Sequence, residues 1–395
     1  MRVLYLVHDL EDAAVKRRRR FLSEGGAAVS VVGFRRKKFP ASPVEPEGIT
    51  IGHTRDGRLL QRAVATAFAV GTSDRWRREL RNADVMIART LEMLLIAVFV
   101  RRRFGLSTPI VYECLDIHRL MTKDNSIGIL LRRLERQLMG SCALLVVSSS
   151  RFIDAYFKRF HAVLPRWVLL ENKVLISEIA GGSSVAPPRK RHPTGLPWRI
   201  GWFGIIRCKR SLTLLADLVR ASNGSVEVDI RGRPAMDVIP DFDAVVASTP
   251  GLTFGGPYDR ATDLRALYEG VHFSWAIDFF EDGFNSAWLL PNRLYEGSMF
   301  GAVPLALGTV ETGHWLARHD CGVLLEEPLA QTLDALFATM TEAAYLDARA
   351  KVVELDPSVL TETPDTAMLF VAMLDQLETR RSRVGSVLRT ARVGS

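Results

Sequence analysis

The sequence predicts an α/β chain of two tandem doubly wound domains facing a central cleft. Three observations lead there. Short unbroken apolar runs recur, each followed by polar residues, as expected of strands buried on both faces of a parallel sheet. Helical stretches separate these runs, which makes the strands parts of βαβ units. A composition break at 181–197 (GGSSVAPPRKRHPTGLP) divides the 395 residues, and the same alternation restarts beyond it.

Taken in order, residues 2–7 form the first strand, closed by polar His8 and Asp9. A helix over 12–24 and a strand over 28–32 follow. Strand 84–88 leads into helix 91–103, strand 109–113 into helix 127–139, and strand 143–148 into helix 151–160. Strand 167–170 then closes an N-terminal domain assigned to 1–180. The stretch 181–197 reads as a linker, and 198–363 as the second domain. That domain opens with strand 198–203 and helix 209–222. Strands 226–231, 252–254, 272–276 and 303–307 continue it, with helices at 263–268, 291–300 and 312–319. Helices follow from Pro328, and Pro364 opens a last one over 364–379. The basic stretch 380–395 has few large apolar residues and is expected to be frayed. Open α/β sheets bind ligands beyond the carboxyl ends of their strands, so function is sought in the loops that follow strands.

Composition narrows the class. Hydrophobic residues make up 48% and charged residues 24%, which excludes a disordered or fibrous chain. No apolar run approaches the ~20 residues of a membrane-spanning helix. Acidic residues arrive too early for the apolar core of a secretory signal. Cys114, Cys142, Cys208 and Cys321 form no C-x-x-C pair, which argues against a zinc site or disulfide framework and suits a reducing cytoplasm. The net charge is +8, and the basic runs 16–20, 35–38, 101–103 and 132–133 all fall in the first half. Most charge runs are merely solvated. Several in one domain could also attract anionic lipid, at about 1 kcal/mol per residue near the membrane. Peripheral contact with the inner face of the cytoplasmic membrane is therefore expected. Nucleic acid is not, since aromatic residues are not interleaved with the runs.

The stretch 278–307 (DFFEDGFNSAWLLPNRLYEGSMFGAVPLAL) carries the most chemistry. Gly283, Asn285 and Ser286 make a polar loop with available backbone N–H groups. Pro291 suits the first turn of a helix, and a helix N-terminus behind such a loop is a natural diphosphate site. Asn292 and Glu296 share one helix face, where the carboxylate could accept two ribose hydroxyls. Gly301 ends the helix and a buried strand begins at once.

This arrangement of Glu296, Gly297, Gly301 and Pro304 resembles the nucleotide-sugar motif of GT-B glycosyltransferases of the family-4 kind. The wording NSAWLLPNRLYEG resembles glycosyltransferases of exopolysaccharide assembly, of the succinoglycan type. The resemblance extends to Gly201-Trp202-Phe203-Gly204 with Arg207 and Lys209, to Glu171-Asn172-Lys173, and to 311–315 (ETGHW). It implies a GT-B fold and a hexosyltransferase that takes its sugar from a nucleotide-diphospho-sugar; the basic runs make a saccharide on a polyprenyl diphosphate the expected acceptor, and the lack of metal-ligand spacing and of a DxD motif leaves no metal or other cofactor expected. It further implies a donor site of Gly204, Arg207, Lys209, Asn285, Ser286, Asn292 and Glu296. There Gly204 lets the donor approach the backbone, while Arg207 and Lys209 neutralise the diphosphate charge that grows in the transition state. The sequence departs from the family at Trp288, where a first glutamate would fall; Trp288 reads as packing, and Glu281 is out of register.

In the first half, His8, Asp9, Glu113, Asp116 and His118 follow strands, where GT-B acceptor sites lie. An inverting enzyme needs a base there, with Asp116 the first candidate and His118 the second. A retaining enzyme does not, and the sequence leaves both outcomes open. Charged groups at strand ends also serve as caps and ion-pair partners, and His8 and Asp9 could simply cap the following helix. His272, His314 and His319 have no metal-ligand spacing. Two other readings stay open: a nucleotide-sugar epimerase that needs no acceptor, and a non-catalytic GT-B-like scaffold of a polysaccharide assembly complex.

Overall fold

The computed structural model describes residues 1–36, 48–54, 59–179 and 194–377. The chain divides into two compact units. One is Met1–Leu170 with the stretch from Thr363, and the other is Glu171–Glu362.

The first unit holds seven parallel strands: β1 (Arg2–Val7), β2 (Ala28–Arg35), β3 (Ile49–His53), β4 (Val85–Arg89), β5 (Ile110–Cys114), β6 (Leu144–Val147) and β7 (Trp167–Leu169). Their order is β3-β2-β1-β4-β5-β6-β7, so the winding reverses between β1 and β4. Every residue of β4, β5 and β6 is buried, which is why these strands read as unbroken apolar runs. β3 and the helix Leu59–Gly71 were not foreseen; β3 is a half-exposed edge strand without an apolar run. The helix expected over 151–160 is interrupted by one π turn, Ile153–Phe157. From that turn Tyr156 donates to Oε2 of buried Glu135 at 2.6 Å. Tyr112 donates to Oε1 at 2.9 Å, and His161 Nε2 lies 2.8 Å from Oε2.

The second unit opens with β8 (Val174–Leu175), then β9 (Trp198–Ile206), β10 (Val226–Pro234), β11 (Leu252–Phe254), β12 (Phe273–Trp275), β13 (Val303–Leu307), β14 (Val323–Leu325) and β15 (Thr361–Glu362). Six of them form a parallel sheet in the order β11-β10-β9-β12-β13-β14, reversing between β9 and β12. β8 pairs with β15, so residues 171–179 belong to the second unit rather than to a first domain ending at 180. Gly232 shows why β10 needs glycine. Its φ is +134, and a Cβ there would fall 1.7 Å from the Gly204 carbonyl oxygen of β9. The strand continues through it to Pro234, beyond the predicted end at 231.

The last helix, 364–377, returns to the first unit. Thr363 caps it, its Oγ1 accepting from Thr366 N at 3.3 Å, with Pro364 in the first turn. Phe370 packs on Phe21 at 5.9 Å, and Gly25 lies so close to Ala367 that a Cβ would sit 2.4 Å from its carbonyl oxygen. Most of the proposed linker (181–193) and the basic tail 380–395 lie outside the described residues.

Candidate functional site

In the second unit β9 ends at Ile206, and Arg207 and Cys208 lead into the helix Lys209–Ala221. Gly204 has φ +121, and a Cβ there would meet no atom within 4 Å, so open space lies beside the backbone. Cys208 caps the helix. Its Sγ accepts from Ser211 N and from Phe279 N, each at 3.3 Å, and so ties the loop after β9 to the loop after β12.

The loop after β12 carries Asp278. Arg207 approaches one Asp278 oxygen through Nη2 at 3.6 Å while lying over the Phe280 ring at 4.6 Å. Arg293, which the sequence reading passed over, approaches the same oxygen at 4.0 Å. Lys209 points elsewhere, with Nζ 3.0 Å from half-buried Asp241, whose carboxyl it holds below the usual range. Arg210 pairs with Glu327 at 2.5 Å and lies 4.0 Å over Phe279.

Asn285–Trp288 form a single helical turn. Ser286 Oγ accepts from Glu281 N at 3.0 Å, and Asn285 is buried. Trp288 is buried and packs edge-on against Phe284 at 6.1 Å. Pro291 precedes the helix Asn292–Met299 as its extended N-cap instead of lying in the first turn, because its ψ is +146. A small recess lies at the carboxyl ends of β12 and β13. Its lining includes Ala276, Asp278, Ser286, Leu307, Val310 and Thr312. Of the predicted donor residues Ser286 faces it, and Arg207 reaches it through Asp278; Gly204, Lys209, Asn285, Asn292 and Glu296 do not line it.

Glu296 is 4% exposed. Arg260 Nε donates to its Oε1 at 2.8 Å, and the Tyr268 hydroxyl lies 3.4 Å from Oε2. Arg260 also donates to Glu178, so one guanidinium joins two carboxylates. Burial alone would favour a neutral Arg260, but Glu296 and Glu178 outweigh it and raise its pKa. No local signal marks Arg260, because its carboxylate partners are distant in sequence.

In the first unit Asp116 and His118 both lie exposed in the loop after β5. His118 caps the turn Arg119–Thr122, its Nδ1 accepting from Leu120 N at 3.3 Å. Desolvation, then the Arg62 charge, hold its pKa below the ordinary histidine value despite Asp116 and Glu92. The neutral ring therefore carries its proton on Nε2, leaving no lone pair to act as a base in this geometry. Glu113 is a buried ion-pair centre: Tyr5 donates to it at 2.6 Å and Arg18 at 2.7 Å, with Arg89 at 3.7 Å. The cap of the first helix is Asp12 rather than His8 or Asp9. Its Oδ1 accepts from Ala14 N at 2.9 Å, and His8 Nε2 lies 3.3 Å from Oδ2. Among the described residues no group of three or more His, Cys, Asp or Glu is placed to hold a metal. None of the described helices is long and apolar enough to cross a membrane.

No family model matches the chain. The succinoglycan biosynthesis protein ExoL of Rhizobium meliloti (strain 1021) is 44% identical over 358 residues, which cover 90% of this chain and 89% of that protein. Solved structures share the architecture at low identity. Anabaena Alr3699/HepE, solved in complex with UDP and glucose, has a TM-score of 0.60 at 15% identity, over 99% of this chain and 100% of that one. WaaG, a glycosyltransferase involved in lipopolysaccharide biosynthesis, has 0.62 at 14% over 93% and 99%. Sucrose-phosphate synthase from Thermosynechococcus elongatus has 0.61 at 12% over 100% of both chains. The chain thus has the GT-B glycosyltransferase fold and belongs to the exopolysaccharide-biosynthesis family of the succinoglycan protein ExoL.

Proposed function

We propose that this exopolysaccharide-biosynthesis glycosyltransferase takes a nucleotide-diphospho-sugar as donor and a saccharide on a polyprenyl diphosphate as acceptor. The reading rests chiefly on the recess at the ends of β12 and β13, where Arg207 and Arg293 converge on Asp278 ahead of the helix that carries Glu296. A departing nucleoside diphosphate gains negative charge, which fixed guanidinium groups stabilise. Open space beside Gly204 admits the donor along β9. A carboxylate has about four acceptor positions. Arg260 and Tyr268 occupy one each on Glu296, which leaves room for two ribose hydroxyls. Asn292 shares the Glu296 helix face beside the ribose. HepE is solved with UDP-glucose, which makes UDP-sugars the first donors to try.

The acceptor belongs to the first unit in this proposal. If transfer inverts, exposed Asp116 is the base, since His118 uses its lone pair as a cap. Guanidinium groups carry the charge that a metal carries elsewhere, so turnover should survive a chelator. The chain would work in the cytoplasm, at the inner face of the membrane. Exposed Val64, Phe68 and Phe99 together with exposed Arg75, Arg77, Arg78 and Arg102 support contact with an anionic leaflet.

The test supplies labelled UDP-, GDP-, dTDP- and ADP-hexoses with polyprenyl-linked acceptors from membranes. Label should enter the lipid-linked saccharide from one donor class, with or without EDTA, and Glu296→Ala should abolish transfer. A folded wild type that binds no donor yet still binds assembly partners would refute the reading in favour of a scaffold. Interconversion of donor sugars without an acceptor would mean an epimerase.

A further inference from the structure

The strand order of the first unit fixes which helices share a face. The chain steps one way from β1 to β2, whereas β3 to β4, β4 to β5 and β5 to β6 all advance in the opposite direction. Right-handed crossovers therefore put the helices Leu59–Gly71, Leu91–Arg103 and Ser126–Met139 on one face of the sheet and Ala13–Glu24 on the other. Leu91–Arg103 lies between its two neighbours and touches both. Each helix of this layer exposes large apolar side chains: Val64 and Phe68, then Phe99, then Ile127, Ile129 and Leu130. Val64 is 70% exposed and Leu130 65%, so neither contributes to the core. Single exposed apolar residues are ordinary, but six on three adjoining helices mark an interaction surface.

The charges on these helices are one-sided. Leu59–Gly71 contains no acidic residue, Glu92 is held by Arg62, and Glu135 is buried under Tyr112, Tyr156 and His161. Among the described residues, every exposed charged side chain of the three helices is an arginine: Arg102, Arg103, Arg133 and Arg136. Asp74 offsets Arg103 at 2.6 Å, and the layer stays net positive. The opposite face differs. The last helix, packed there on Phe21, exposes Met368 and Leu369 beside exposed Asp365 and Asp375.

We infer that the outer face of this three-helix layer docks on an anionic bilayer leaflet, its apolar side chains entering the acyl boundary and its arginines lying at headgroup level. The inference rests on the lipid-linked acceptor of the proposed function. Neighbouring helices pack about 8–10 Å apart, so the patch spans roughly 20 Å and presents a surface that suits a plane. An apolar centre with cations around it is what holds a protein on anionic lipid. A second copy fits poorly, since it would set arginines against arginines. Ser126–Met139 also follows the loop that carries Asp116 and His118, so docking here brings the headgroups towards the candidate acceptor base.

The test measures co-sedimentation of the full chain with vesicles of phosphatidylcholine, with and without phosphatidylglycerol. Wild type should bind the anionic vesicles at least about 10-fold more tightly than the neutral ones. The double change Ile127→Gln and Leu130→Gln should weaken binding about 10-fold or more, and Phe68→Gln should weaken it in the same direction. Arg133→Gln should cost about fivefold on anionic vesicles and little on neutral ones. Leu369→Gln, on the opposite face, should change nothing. All these positions are exposed, so thermal unfolding should match wild type. Equal loss in Leu369→Gln, or unchanged binding in the double variant, would overturn the inference. So would a wild-type dimer in sedimentation velocity that the double variant dissolves, because the face would then join two copies. Label transfer from nucleotide-sugars to lipid-linked acceptor separates the two levels. Transfer by a wild type whose vesicle binding ignores these substitutions sinks the inference and keeps the proposed function. Vesicle binding through this face with no transfer to any lipid-linked acceptor keeps the inference and sinks the acceptor reading.

Discussion

Arg260 and Glu296 should respond very unequally to substitution. Arg260→Met leaves Glu296 at 5% side-chain exposure and Glu178 at 15% without their shared cation. Orphaning a buried carboxylate in this way costs about 3–5 kcal/mol. For a unit of about 190 residues, each kcal/mol lowers the melting temperature by roughly 2–4 °C, so the expected drop is about 6–20 °C. Glu296→Leu is a different case. Arg260 keeps Glu178, the Tyr268 hydroxyl loses only a 3.4 Å contact, and an apolar side chain of similar volume fills the site. That substitution should cost no more than about 1 kcal/mol. Adding Glu296→Leu to Arg260→Met should restore part of the lost stability, with a coupling of about 1–3 kcal/mol.

Urea unfolding followed by tryptophan fluorescence reads this directly, because Trp198, Trp202, Trp275, Trp288 and Trp315 all belong to the second unit. The reasoning fails if Arg260→Met costs under about 1 kcal/mol, or if Glu296→Leu costs as much as Arg260→Met. The asymmetry also bears on function. If Glu296→Leu proves nearly neutral for folding and also abolishes donor binding, Glu296 is present for the ligand.

Two further outcomes follow from local geometry. Gly232→Ala places a Cβ 1.7 Å from the Gly204 oxygen at φ +134, and should cost more than about 4 kcal/mol or prevent folding; a urea midpoint near wild type would contradict it. Burial raises the Glu171 carboxyl pKa above its usual value, outweighing Lys173 and the Tyr295 hydroxyl. The native state therefore binds that proton more tightly than the unfolded chain. The resulting stability is complete below the unfolded value of about 4.3 and is lost as pH rises through the raised native value. Glu171→Gln should match wild type near pH 3.5 and exceed it near pH 8, where urea unfolding at the two pH values would show no difference if the carboxyl were unperturbed.

The buried strands were legible because a parallel strand covered on both faces must be apolar throughout, as in 85–89 and 303–307. β3 and β14 were not, since a short strand at a sheet edge need bury only part of its surface. The π turn at Ile153–Phe157 follows from a tertiary demand, Tyr156 reaching Glu135, that no local pattern encodes. The return of helix 364–377 to the first unit was hidden for a similar reason. Its apolar face shows that it packs, but not that Phe370 meets Phe21. At the candidate site, the residues of the loop and helix from 285 to 296 were visible as a motif. Arg260 was not, because its significance lies in the distant carboxylates Glu296 and Glu178.

The basic runs show the same limit from the side of charge. In sequence, 16–20, 35–38 and 132–133 look like solvated cations available to an anionic surface. In the structure Arg17, Arg18, Arg35 and Arg132 are each under 9% exposed. Arg18 pairs with Glu113 at 2.7 Å and Arg35 with Glu11 at 2.6 Å. Arg132 donates to the carbonyls of Met121 and Lys123, both at 2.8 Å. Lys37 and Lys38 lie outside the described residues. A guanidinium compensated inside the fold contributes little to the field beyond it, because the dipole of a close pair decays faster than a free charge and salt screens the remainder. Any attraction of the first unit to anionic lipid must then come from the exposed cations, among them Lys16, Arg20, Arg102, Arg103 and Arg133 within the runs and Arg75, Arg77 and Arg78 outside them. The runs 16–20 and 132–133 thus divide between cations compensated inside the fold and cations left on the surface, a division that the sequence pattern does not show.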